Sequence, residues 1–121
     1  MIELLEGFPD NAVAISAKGK ITRRDYETIL IPKVKGSFAK RARIRVYYEL
    51  GPEYTGFDAG AVWEDFMLGV EHLRGWDRIA VVTDVEWIRM AIRAFQFSIV
   101  GEIRCFDMKR VGEARRWISE V

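Results

Sequence analysis

The chain has 121 residues, half of them hydrophobic and 31% charged, which is the makeup of one globular domain and excludes a disordered or fibrous one. Its 19 lysines and arginines stand against 18 acids, a formal net charge of +1. That lacks the basic excess with which proteins usually hold a duplex, so no nucleic-acid partner is expected.

Cys105 is the one cysteine, so no internal disulfide forms and a reducing cytoplasm is the expected compartment. The start, Met1 to Glu6, has neither the basic residues nor the apolar run of a secretory signal. No stretch approaches the ~18 uncharged apolar residues of a membrane span. Any membrane contact is therefore expected to be peripheral, at the inner face.

Residues 2–5 and 11–17 read as two short strands around a turn holding Gly7, Pro9 and Asp10. Thr22-Arg23-Arg24-Asp25 resembles a capping box, and Tyr26, Ile29, Leu30 and Val34 follow at helical spacing. Pro32 predicts a kink or an early break there. Residues 43–50 form a third strand, with Ile44, Val46 and Tyr48 on one face and Tyr47 on the other. Residues 51–60 read as loop, and Ala59, Val62, Trp63, Phe66, Val70 and Leu73 make a helical stripe ending at Gly75. Ile79 to Val82 is apolar throughout, as suits a strand buried on both faces. Thr83-Asp84 can cap a helix from Val85 to about Ile99. A strand at 102–106 and an amphipathic helix at 109–121 complete the chain.

The order ββαβαβαβα predicts one α/β domain over residues 1–121. Its core is a single-layer, mostly parallel five-stranded sheet with an antiparallel edge strand, covered by about four helices.

Three segments carry a resemblance: Arg43-Ile44-Arg45-Val46-Tyr47-Tyr48; Arg78-Ile79-Ala80-Val81-Val82-Thr83-Asp84 with Val85-Glu86-Trp87-Ile88-Arg89; and Glu102-Ile103-Arg104-Cys105-Phe106-Asp107 with Glu113-Ala114-Arg115-Arg116-Trp117. Through them the chain resembles the SpoIIAA-like family, which is related to STAS domains and grouped with the lipid-binding CRAL-TRIO fold. The resemblance implies a small sheet covered by helices, no established catalysis, and ligand binding or membrane association. In anti-sigma-factor antagonists, the best understood STAS proteins, a phosphorylatable serine follows the third strand. Residues 51–60 hold no serine here, and Thr55, beside Gly56 in what reads as a turn, is the one hydroxyl of that kind.

Catalytic machinery is not expected. His72 is the one histidine, no cysteines or paired carboxylates stand at metal-ligand spacing, and no glycine-rich phosphate loop occurs. Cys105 lies mid-strand and reads as a small packed residue. No catalytic residue, metal or cofactor is therefore assigned.

The helix after Asp84 is the informative element. At about 100° per residue, Glu86, Arg89, Arg93 and Gln96 share one narrow polar stripe, and the rest of 85–97 is apolar. Trp87, Met90 and Phe97 form one flank, Ile88, Ile92 and Phe95 the other, which is more apolar surface than one sheet contact uses. Three occupants suit the surplus. The helix around Trp63 and Met67 can cover it, or a second copy can bury it in a homodimer. In the third case an apolar or lipid-like ligand lies in a cleft of Trp63, Met67, Trp87, Met90 and Phe97, with Arg89 or Arg93 at its rim for an anionic headgroup. A protein–protein module, either a dimer or a partner-switching regulator, is the alternative to ligand binding.

A second feature is basic. Lys33, Lys35, Lys40, Arg41, Arg43 and Arg45 fall within thirteen positions, with no acid between Glu27 and Glu49. Such a cluster can hold a protein to an anionic membrane surface at about 1 kcal/mol per cation. It also fits a helix C-terminus and a solvated strand face.

Overall fold

A computed structural model describes residues 1–58, 75–96 and 101–120, with Phe95 placed by its backbone alone. The helix expected at 59–73, with Trp63, Met67 and His72, lies outside the described residues. So does Phe97 with the end of the following helix.

The described residues form a five-stranded sheet in the order β1-β2-β3-β4-β5. The strands are β1 Ile2–Leu4, β2 Ala12–Ile21, β3 Ile44–Phe57, β4 Trp76–Thr83 and β5 Glu102–Phe106. β1 runs antiparallel to β2, and every later pairing is parallel. This is the mixed sheet with an antiparallel edge that the element order predicts.

Alternation along the strands divides the core between two faces. Val13, Ile15, Ile44, Val46, Tyr48 and Leu50 face one way and are buried with Trp76. That face is covered by α1, built of an α-helical turn Arg23–Asp25, a π-helical turn Tyr26–Leu30 and an α-helical run Ile31–Lys40. Beside it lies α2, Glu86–Phe95, which contributes Ile88. The opposite face holds Ala14, Tyr47, Ala80, Val82 and Phe106 beneath α3, Val111–Ser119, with Ala114, Trp117 and Ile118. β4 is apolar in both directions because it packs both ways, Ile79 and Val81 toward the first face, Ala80 and Val82 toward the second.

Pro32 does not end α1. The turn before it widens, so that the Ile31 N–H reaches back to the Tyr26 carbonyl, five residues away. Pro32 then falls at the start of the next helical run, where its missing N–H costs little. The helix continues through Gly36, Ser37 and Phe38 to Lys40. Residues 51–57 are likewise strand rather than loop. They pair with an extension of β2 across register shifts at Ala17/Gly19 and Gly19/Lys20. Gly19 takes φ +62 at that irregularity, a left-handed conformation that glycine adopts without a Cβ clash. Pro52 is tolerated because β4 leaves β3 at Leu50, so no ladder partner there needs its N–H. Gly101 brings the chain into β5 so closely that a Cβ would lie 2.2 Å from the Trp76 carbonyl oxygen.

Candidate functional site

α2 begins where β4 ends. The Val85 N–H donates to Thr83 Oγ1 at 3.0 Å and turns the chain into the helix. Asp84 does not cap it; its carboxylate accepts the Met108 N–H instead, tying this turn to the one after β5. Ile88 enters the core at 8% exposure, and Ile92 packs beside it. The opposite side of the helix carries Trp87 and Met90, 56% and 61% exposed. Trp87 meets Phe57 edge-on, with ring centroids 6.5 Å apart. Two large apolar side chains one turn apart are thus left to solvent on a single helix.

The polar stripe has its own place. Between α2 and the edge strand β5 lies a cavity of about 270 Å³. Arg89, Ile92 and Arg93 form its helix wall, and Ile103 and Cys105 its strand wall. Arg104 and Arg110 also line it, and no acid among the described residues does. Trp87 and Met90 are not among the lining residues, so the apolar flank and the arginines occupy adjoining surfaces of one helix.

The four arginines are not equivalent. Arg110 is held by Glu113 through two hydrogen bonds, at 2.8 and 2.9 Å. The Arg104 guanidinium stacks on Trp117 at 4.7 Å and meets Glu102 at 3.4 Å. Arg89 makes one long hydrogen bond, 3.4 Å, to the Thr83 carbonyl, and neither Arg89 nor Arg93 has an ion pair among the described residues. Burial raises the Cys105 thiol above its usual pKa, while the charges of Arg89 and Arg93 pull against that rise. Asp107 and Glu86 act in the same direction as burial. Cys105 is half-buried in β5, as a small strand residue would be, and forms part of the cavity wall. The alternation that puts Ile103 and Cys105 on one strand face is legible in the sequence, whereas the way α2 lies over that face is not.

The basic segment divides by use. Arg45 is 11% exposed and donates to Asp77 at 2.7 Å. Its other nitrogen reaches the Ile118 and Glu120 carbonyls at the end of α3. Arg43 meets the same Asp77 at 3.6 Å. Arg45 thereby fastens a helix C-terminus, where unpaired carbonyls and the helix dipole favour positive charge, while Arg43 donates to the Trp76 carbonyl at 3.2 Å. Lys33, Lys35 and Lys40 are exposed on α1, with Arg41 just past its end. Lys33 and Lys40 share a flank two turns apart, whereas Lys35 is about 200° around from Lys33. The lysines therefore do not make one continuous patch on the helix.

The profile of the SpoIIAA-like family matches residues 12–119. The chain belongs to the SpoIIAA-like family. Its members are regulatory or binding domains rather than catalysts. An uncharacterized protein of the DUF3478 family with a SpoIIAA-like fold, from Shewanella loihica PV-4, has a similar solved structure. The TM-score is 0.74 at 28% identity, over 98% of this chain and 92% of that one. No curated protein matches the chain. In this SpoIIAA-like domain Thr55 is exposed in the outer part of β3, not in a turn. No helix among the described residues is long and apolar enough to cross a membrane.

Proposed function

We propose that this SpoIIAA-like domain is a non-enzymatic binding module for an amphipathic, lipid-like ligand that docks on α2. The observation that carries it is the exposure of Trp87 and Met90 beside two arginines that no described acid neutralises. A lone exposed apolar residue is ordinary, but adjoining ones rimmed by unpaired charge suit a ligand with an apolar body and an anionic end. Methionine adds a flexible, polarizable surface that adapts to such guests. Peripheral contact with an anionic membrane fits the same reading, with Lys33, Lys40 and Arg41 as supporting cations.

Native mass spectrometry of the protein purified without detergent, followed by extraction, tests this. The expected result is a co-purifying amphipath that is lost from the Trp87→Ser/Met90→Gln variant while circular dichroism stays unchanged. A wild-type protein that carries none, and takes up no added lysophospholipid, overturns the ligand reading. The exposed pair would also suit a protein partner. An apo dimer that the double variant converts to monomer would establish an interaction module in its place.

A further inference from the structure

We infer that the cavity between α2 and β5 is an oxyanion subsite, in which Arg89 and Arg93 hold a phosphate or carboxylate group over a floor of Ile92, Ile103 and Cys105. The inference rests on the binding-module reading and names the group that is bound.

Size decides the first step. A volume of about 270 Å³ corresponds to roughly nine waters at about 30 Å³ each, below the usual range of drug-sized pockets. That admits a compact anionic group but not the whole of a long acyl chain, most of which would lie outside, along Trp87 and Met90. Charge decides the second. Arg104 and Arg110 are committed to Trp117 and Glu113, so the cations still open to a ligand are the two on the helix wall. Arg89 and Arg93 lie one turn apart, a spacing that lets two guanidinium forks converge on one tetrahedral or planar oxyanion. Both charges are felt by the Cys105 thiol, which places their field at the cavity floor. Glu86 and Asp107 also act on that thiol but line no part of the cavity. The apolar floor serves the same end, because charge-assisted hydrogen bonds strengthen where water is displaced.

Cys105, the one thiol in the chain, reports occupancy directly. The experiment measures its alkylation by iodoacetamide, a neutral reagent, at constant ionic strength. Inorganic phosphate or succinate is varied against chloride as the control. The half-protecting concentration is read rather than the rate, because removing either arginine also shifts the thiol itself. Saturable protection by phosphate or succinate is expected, weakened roughly tenfold by Arg89→Gln and by Arg93→Gln. Protection by vesicles of phosphatidic acid in phosphatidylcholine, absent with either free anion and with phosphatidylcholine alone, supports the same subsite and makes a lipid headgroup its source. Failure of all of them to protect, or protection that persists in the Arg89→Gln/Arg93→Gln double variant, overturns the inference. Phosphate protection kept in a protein that takes up no lysophospholipid would mark failure of the amphipath reading alone.

Discussion

α3 and α2 are built from much the same materials and put them to opposite uses. Each is a short amphipathic helix laid on the sheet, with a tryptophan and neighbouring arginines. In α3 the tryptophan and Arg115 are spent within the chain, Arg115 on Glu49 at 3.7 Å. Trp117 is 6% exposed, with the guanidiniums of Arg78 and Arg104 over its ring at 5.1 and 4.7 Å. The helix ends on donors from the strands, Arg78 to the Trp117 carbonyl at 2.8 Å and Arg45 to that of Ile118 at 3.1 Å. In α2 the tryptophan is 56% exposed, and the arginines of the cavity wall have no acid partner among the described residues. Residue type does not separate a structural arginine from an available one. What separates them is whether the fold has already supplied a partner.

The sharpest way to break this contrast is to truncate both tryptophans. Trp117→Ala removes a buried ring from the second core and is expected to cost about 3–5 kcal/mol. Trp87→Ala removes a ring that is mostly in water and is expected to cost less than about 1 kcal/mol. Urea denaturation of the two variants measures the difference. Equal losses would mean that Trp87 belongs to the core and is not free for a ligand.

The arginines give a smaller contrast of the same kind. Arg45→Gln leaves Asp77 with Arg43 at 3.6 Å as its remaining cation partner and releases two carbonyls at the end of α3. The expected cost is about 2 kcal/mol, typical of charge-assisted bonds in a partly buried setting. Arg93→Gln should fall within about 0.5 kcal/mol of wild type in the same assay. A large loss at Arg93 would show that it has a structural partner.

Much of the architecture is legible in the sequence because its signals are local. Val13 and Ile15 alternate with Ala14 and Ser16, and the strand at Ile44–Tyr48 repeats the pattern, so their core face can be read directly. The parts that differ depend on distant residues. Gly51, Pro52 and Gly56 are ordinary loop signals; only pairing with Lys20 and Ile21, more than thirty residues earlier, makes that stretch a strand. Pro32 reads as a breaker because periodicity does not reveal a widened turn. The arginine stripe of α2 was legible from the helical wheel, and its separation from Trp87 and Met90 follows from the same angles. That the stripe faces Cys105 across a cavity depends on how α2 lies against β5, which one sequence does not specify. Arg45 shows the converse, since nothing near it in sequence points to the end of α3.

The smallest expected effect extends the contrast to the way helices begin. α1 opens with a complete capping box. The Thr22 hydroxyl accepts the Asp25 N–H, and the Asp25 carboxylate accepts the Thr22 N–H at 2.8 Å. α2 has no side-chain cap at Val85. Burial pushes the Asp25 carboxyl up, but the Thr22 N–H and hydroxyl and the amino group of Met1 outweigh it, and the pKa is lowered overall. A carboxylate lowered by folding contributes stability that is fully present above its unfolded value and disappears as pH falls through the folded one. Between about pH 5 and pH 2 the wild type should therefore lose more stability than Asp25→Asn, by about 1 kcal/mol, the usual worth of a helix cap. Urea midpoints at the two pH values measure it. Identical acid losses in both proteins would mean that the charge of Asp25 adds nothing to the cap, since the Asn amide oxygen can still accept the Thr22 N–H.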